Sequence, residues 1–212
     1  MIRAIFFDVA NTLLEKPDLW KAIKDTLNNF GYNLDIMLVA KKHKELSEGT
    51  LFPDKTTKAF YLKFNEELLK GLDIDPRNEL VEAIYQNCQG LQWRPFEDVT
   101  ILERLRLPLG IGSNWDLSLR DRLRSTFGRL FDWILVSEEL GVKKPQEAFF
   151  LKMIEVCAYK EHEILFVGDS VTLDMWPAQK VGMQTLLVDR IDYYVDYQGN
   201  RVKSMSQIMD YL

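Results

Sequence analysis

Residues 4–14 read AIFFDVANTLL. Ala4 to Phe7 form a short uncharged run that stops at Asp8. Such a run suits a strand covered on both faces, as in a parallel sheet flanked by helices. Val9, Ala10, Asn11 and Thr12 continue neither a helix nor a strand well, so Asp8 stands at the tip of a buried strand. Two later runs end alike: GIGSN, at 110–114, and LFVGD, at 165–169. In a parallel sheet all such C-terminal ends share one edge, and ligands of open α/β folds bind there.

The spacing between these runs supports that sheet. After Pro95, helical and strand patterns alternate. VTILERLR (99–106), LSLRDRLRSTFG (117–128), QEAFFLKMIEVCA (146–158) and LDMWPAQKVG (173–182) read as helices. LPLGIGSN, DWILVS, EILFVGDS and QTLLVD read as strands. Alternation of this kind implies right-handed crossovers and a parallel, doubly wound α/β sheet. The tail from Asp192 reads as a small hairpin and a last helix.

Between the first strand and the second lies a stretch of different texture. From Lys16 to Trp93 the apolar spacing is helical throughout. Trp20, Ile23, Leu27 and Phe30 share one face, with Gly31 placed to end the helix. Asp35 and Thr56 are candidate caps of the next two helices, the second carrying Phe60, Phe64 and Leu68 and ending near Gly71. Asp75 as N-cap and Pro76 at the first helical position open a fourth, with Leu80, Ile84 and Cys88 on one side. The division predicted is a core of residues 1–15 and 94–212 with an inserted helical domain at 16–93.

Composition narrows the function. The chain of 212 residues is 47% hydrophobic with a net charge of -5. It can bury a sizeable core, and it offers no basic face for nucleic acid or anionic lipid. No apolar run approaches the roughly 18 residues of a membrane span. The strand pattern begins at Ile2, which leaves no space for a signal peptide. Cys88 and Cys157 stand alone and read as reduced core residues of a cytoplasmic protein. His43 and His162 are isolated and read as surface residues.

Asp8, Ser113 and Asp169 converge at the sheet edge, and Asp174, five residues after Asp169, can reach it. In ELGVKKPQ, Lys143 or Lys144 can enter the same place before the stiffening Pro145. Three carboxylates repel, and one lysine leaves roughly two negative charges uncompensated. A divalent oxygen-seeking cation removes them, and few protein ligands with space for water and phosphate oxygens is the usual Mg²⁺ pattern. Mg²⁺ beside a carboxylate nucleophile, a lysine and a serine suits phosphoryl transfer.

FFDVANTL, IGSN, GVKKP and GDSVTLD, in this order, resemble the four motifs of the haloacid dehalogenase-like (HAD) hydrolase superfamily. The resemblance spans Phe6 to about Asp189. It implies a Rossmann-like core with the helical insertion as a cap, and a hydrolase acting on a small phosphorylated molecule with Mg²⁺. It makes Asp8 the nucleophile that forms an aspartyl-phosphate. Asp8, the backbone carbonyl of Ala10 and Asp169 become metal ligands, with Asp174 supporting the metal. Ser113 and Lys144 bind the transferring group, Thr12 holds the loop, and Asn114 lies close to the substrate. Asn11 replaces a frequent glycine, since Asn tolerates left-handed angles. The protein is expected to act as a monomer or homodimer.

Ala10 departs from the family's phosphatases, which usually carry a second Asp there as acid and base. A positioned acid/base is typically worth about 10²- to 10⁴-fold in rate. Four readings follow: a phosphohydrolase that is slow or limited to good leaving groups, a phosphonatase, a dehalogenase, and a catalytically weak binding protein. Carboxylates at Asp169 and Asp174 disfavour the dehalogenase, whose chemistry uses no metal. The helical insertion offers many lysines for a phosphonatase imine, including Lys21, Lys24, Lys41, Lys42 and Lys58, but nothing in the sequence singles one out, and a lysine on a helical face is more often solvated than catalytic.

Overall fold

The computed structural model describes residues 1–212 and divides them into two compact units, 1–15 with 95–212, and 16–94. The first unit is built on a parallel sheet. Its strands are β1 (Ala4–Phe7), β2 (Leu109–Ser113), β3 (Trp133–Val136), β4 (Ile164–Gly168), β5 (Gln184–Val188) and β6 (Arg201–Val202), in the order β3-β2-β1-β4-β5-β6. Every pairing is parallel; Phe6 stands between Gly110 and Phe166. Order reverses between β1 and β4, and ligands of open α/β sheets bind outside the C-terminal ends of the strands at such a switch point. Both strands are wholly buried, as their unbroken apolar runs require.

Packing explains two glycines in β2. A Cβ on Gly110 would lie 2.4 Å from the Phe6 ring, and one on Gly112 2.1 Å from the Met153 methyl. Phe6, Phe149, Phe150, Met153 and Phe166 form the heart of one core, with Phe150 edge-on to Phe166 at 5.3 Å.

The second unit carries the helices α1 (Leu19–Asn29), α2 (Ile36–Gly49), α3 (Lys58–Gly71) and α4 (Asn78–Cys88). Ile23, Leu27, Leu68, Leu80 and Ile84 are buried together in it. Asp35 caps α2, accepting from the amides of Met37 and Leu38. The first unit completes its helices with α5 (Ser118–Phe127), α6 (Ser137–Leu140), α7 (Glu147–Cys157) and α8 (Trp176–Lys180). No helix is long and apolar enough to cross a membrane.

Several expectations need correction. Thr57, not Thr56, caps α3, accepting from the Phe60 amide. Asp75 does not cap α4: the Arg77 amide donates to the Asp75 carbonyl, closing a tight turn around Pro76 before the helix starts. VTILERLR is a 3₁₀ helix over Glu97–Arg104; its β-branched Val99, Thr100 and Ile101 disfavour a longer α-helix. The tail makes no hairpin, because Arg201–Val202 joins the sheet in parallel beside β5 and a 3₁₀ helix, Met205–Tyr211, follows. His43 is half-buried, with its ring 5.2 Å from that of Phe64. His162 is exposed.

Candidate active site

Asp8 follows β1, and its amide donates to the Val167 carbonyl of β4, so the strand pairing itself fixes its backbone. The next residues turn tightly. The Val9 carbonyl accepts from the amides of Leu13 and Leu14 at 2.9 and 2.8 Å, and Asn11 takes a φ of 58°. Asn pays little strain there, as its sequence position foretold. The turn presents the Thr12 hydroxyl, which donates to Asp8 Oδ2 at 3.3 Å.

Three further elements converge on Asp8. Ser113, the last residue of β2, donates to Asp8 Oδ1 at 3.2 Å. Lys144 Nζ donates to Asp8 Oδ1 at 2.7 Å and to Asp174 Oδ1 at 2.6 Å. Lys144 precedes a cis peptide bond to Pro145 and is buried, whereas Lys143 is half-buried. The side chain of Asn114 clasps the Lys144 backbone: its amide donates to the Lys144 carbonyl at 2.9 Å, and its oxygen accepts from the Lys144 N–H at 2.8 Å. Asn114 therefore fixes the lysine loop.

Asp174 reaches the cluster from a single π-helical turn, Val171–Met175, in which the Met175 amide donates to the Ser170 carbonyl. Pro177 lacks the amide that would continue an α ladder to Leu173, and the wide turn precedes it. Ser170 caps this turn, accepting from the Leu173 amide at 2.9 Å. Asp174 Oδ2 instead accepts from the Ser170 amide at 3.1 Å. Gly168 makes that approach possible, since a Cβ on it would lie 2.3 Å from Asp174 Oδ2.

Charge is the site's main problem. One carboxylate oxygen each from Asp8, Asp169 and Asp174 lie within 4.8 Å of one another, with Asp8 and Asp174 buried. Burial, followed by the charges of Asp8 and Asp169, pushes the Asp174 carboxyl up to about 7 against the pull of Lys144. Burial disfavours the Lys144 ammonium, but Asp174 and Asp8 outweigh it and hold its pKa above the usual lysine value. The lysine stays charged, and an excess of negative charge remains. An all-oxygen donor set with that excess fits a hard divalent cation. Ala10 adds no ionisable group and is half-buried.

A family model described as haloacid dehalogenase-like hydrolase matches residues 2–182. The chain is a haloacid dehalogenase-like hydrolase. This HAD-like hydrolase is 27% identical over 233 residues to the glyceraldehyde 3-phosphate phosphatase of Methanocaldococcus jannaschii, covering 99% of this chain and 97% of that protein. The enzyme of the same name from Methanopyrus kandleri is 25% identical over 211 residues, covering 91% and 86%. Among solved structures, the magnesium-bound putative HAD-hydrolase YfnB of Bacillus subtilis superposes with a TM-score of 0.68 at 19% identity, covering 100% of this chain and 98% of that one. The L-2-haloacid dehalogenase of Xanthobacter autotrophicus gives 0.62 at 18%, covering 98% and 97%. At such identities the structures speak for the fold alone.

Two contributors escaped the sequence reading. Gly168 had a signal, since it directly precedes Asp169 where a second carboxylate must approach. Arg190 follows Asp189 at the end of β5, another polar strand end on the same edge; its Nη2 donates to the Thr12 carbonyl at 3.0 Å.

Proposed function

We propose that this HAD-like hydrolase is a Mg²⁺-dependent phosphohydrolase of small phosphorylated metabolites. The observation that carries this reading is Lys144 Nζ within hydrogen-bonding distance of both Asp8 and Asp174, beside Asp169. Two curated relatives covering most of the chain are named for dephosphorylating glyceraldehyde 3-phosphate, which favours a small phosphorylated substrate. The free thiols of Cys88 and Cys157 suit the reducing cytoplasm.

Asp8, the Ala10 carbonyl, Asp169 and Asp174 are the groups to hold Mg²⁺. Bound there, the cation would offset the excess negative charge and polarise phosphoryl oxygens. Ser113 and Lys144 donate hydrogen bonds to the transferring phosphoryl group. A carboxylate oxygen of Asp8 bonds to phosphorus as the leaving oxygen departs with the bond's electron pair. Water then attacks the aspartyl-phosphate, releasing inorganic phosphate and restoring Asp8. With alanine at position 10, the leaving oxygen takes its proton from solvent, so acyl and aryl phosphates react best.

The test is phosphate release from acetyl phosphate and p-nitrophenyl phosphate, with Mg²⁺ and with chelator. Turnover that requires Mg²⁺ and disappears in Asp8→Asn is expected. Ala10 favours one alternative, a protein that binds phosphorylated ligands and scarcely turns them over. Saturable ligand binding without Mg²⁺-dependent phosphate release would replace the first reading with that one.

A further inference from the structure

We propose that Arg190 is a positioning residue for the nucleophile, holding the turn after Asp8 from behind. The proposal rests on the reading of Asp8 as nucleophile. Arg190 faces Asp98 in a two-pronged pair, Nη1 to Oδ2 at 2.8 Å and Nη2 to Oδ1 at 3.0 Å. The same Nη2 donates to the Thr12 carbonyl at 3.0 Å. The Thr12 hydroxyl in turn donates to Asp8 Oδ2. One guanidinium therefore connects an ion pair to the peptide that bears an Asp8 contact.

The surroundings hold the guanidinium in one place. Its carbon lies 3.6 Å from the centre of the Phe96 ring, and the Phe96 amide donates to the Leu13 carbonyl, one peptide from the Thr12 contact. Asp98 is fixed from the far side by the C-terminal segment. Ser204 Oγ and the Met205 amide donate to its Oδ2 at 2.7 and 2.8 Å. Burial opposes ionisation of Asp98, yet hydrogen bonds from Arg190 and Ser204 hold its pKa below the usual carboxylate value. Both side chains of the pair are less than a fifth exposed. The C-terminal segment thus completes a relay: Ser204 and Met205 to Asp98, Arg190, Thr12 and Asp8.

The fork is what matters. A planar guanidinium serves two carboxylate oxygens and a carbonyl at fixed angles, whereas an ammonium is a point donor on a flexible stem. Arg190→Lys keeps the charge and loses the simultaneous contacts. The Thr12–Leu13 peptide then keeps only the bond from the Leu13 N–H to the Val9 carbonyl, and the Thr12 hydroxyl is held less firmly with respect to Asp8.

The experiment compares wild type, Arg190→Lys, Ser204→Ala and Leu123→Ala. The last removes buried apolar volume from α5, far in the chain from this relay. Two readouts are taken below the melting temperature of each: hydrogen exchange at the Asn11 and Leu14 amides relative to amides of β2, and kcat and KM for acetyl phosphate with Mg²⁺. Arg190→Lys is expected to speed relative exchange of the turn about tenfold and to lower kcat about tenfold, with KM within about twofold. Ser204→Ala should follow in the same direction by about two- to threefold, and it decides the matter if Arg190→Lys fails to fold. Leu123→Ala should lower the melting temperature and change neither readout. Wild-type exchange and kcat in the foldable relay variants, or equal losses in Leu123→Ala, would overturn the proposal. If the wild type releases no phosphate while Arg190→Lys still loosens the turn, the phosphohydrolase reading fails, and with it the role toward a nucleophile, leaving Arg190 only as the residue that holds the turn after Asp8.

Discussion

Lys144 Nζ lies 2.6 Å from Asp174 Oδ1, with the two side chains only 3% and 1% exposed. The same nitrogen serves Asp8 at 2.7 Å, so one buried cation ties two buried carboxylates. Removing one partner of a buried ion pair typically costs about 3–5 kcal/mol, because the remaining charge is stranded. Lys144→Met should therefore lower stability to urea by about that much in Mg²⁺-free buffer. It should also reduce kcat for acetyl phosphate at least about 100-fold, since the donor facing the phosphoryl oxygens is lost. Urea unfolding and steady-state kinetics on the same preparation check both.

Mg²⁺ should stabilise the folded chain. A ligand at about 100 times its Kd adds about 2.7 kcal/mol, or about 5–10 °C in melting temperature for a chain of this size. Asp169 is half-buried and belongs to the carboxylate cluster. Asp169→Asn should fold normally and lose most of the shift. A shift of equal size in that variant would place the cation elsewhere.

The approach of Asp174 to β4 depends on Gly168. An added Cβ would lie 2.3 Å from Asp174 Oδ2, 2.6 Å from its Cγ and 2.8 Å from its Cβ, closer than packed atoms come. Asp174 must shift, and Lys144 with it. Gly168→Ala is expected to lose about 1–3 kcal/mol by overpacking and at least about tenfold in kcat. Gly110→Ala offers a comparison, since it crowds the Phe6 ring instead and should lose stability with less effect on turnover per kcal/mol.

How much of this was legible follows from where the information lies. Asp8, Ser113 and Asp169 end three buried apolar runs, and a parallel sheet leaves those ends nowhere to go but one edge. The local rule therefore brought these three residues together. The residues alone left Lys143 and Lys144 open and the resemblance chose Lys144; the structure buries it where Lys143 stays half-buried. The relay through Arg190 was not legible, because Thr12, Asp98 and Arg190 are joined only by tertiary folding. The tail misled for a similar reason. Asp189 accepts from the amides of Tyr193 and Tyr194 and pairs with Arg201, bending the chain so that Arg201–Val202 returns in parallel. Asp174 reaches the cluster from a wide turn just before Pro177, a local geometry that the sequence pattern did not spell out.

His43 predicts a pH response in the helical unit. Burial, then the charges of Lys44 and Lys16, lowers its pKa from 6.5 to about 4. Above about pH 6.5 the ring is neutral in both folded and unfolded chains. Between 6.5 and about 4 the unfolded chain takes up a proton that the folded chain refuses, so stability falls as pH falls. Because the ring is only half-buried, the loss should be on the order of 1 kcal/mol. Thermal unfolding at about pH 7.5 and pH 5 should show a smaller difference for His43→Gln than for wild type.

Ala10 gives the sharpest kinetic prediction. It follows Asp8 by two residues and lacks any group that can protonate a leaving oxygen. An aryl or acyl leaving group departs with little help, while an alkoxide needs a proton in the transition state. Ala10→Asp should therefore raise kcat/KM most for alkyl phosphates such as glycerol phosphate, by about 10- to 100-fold, below the full value of an evolved acid. For acetyl phosphate the gain should be about threefold or less, confined to faster hydrolysis of the aspartyl-phosphate. The ratio of the two gains is the diagnostic quantity, because a general change in loop packing would move both substrates together. Equal gains, or losses on both, would show that position 10 does not face the leaving group.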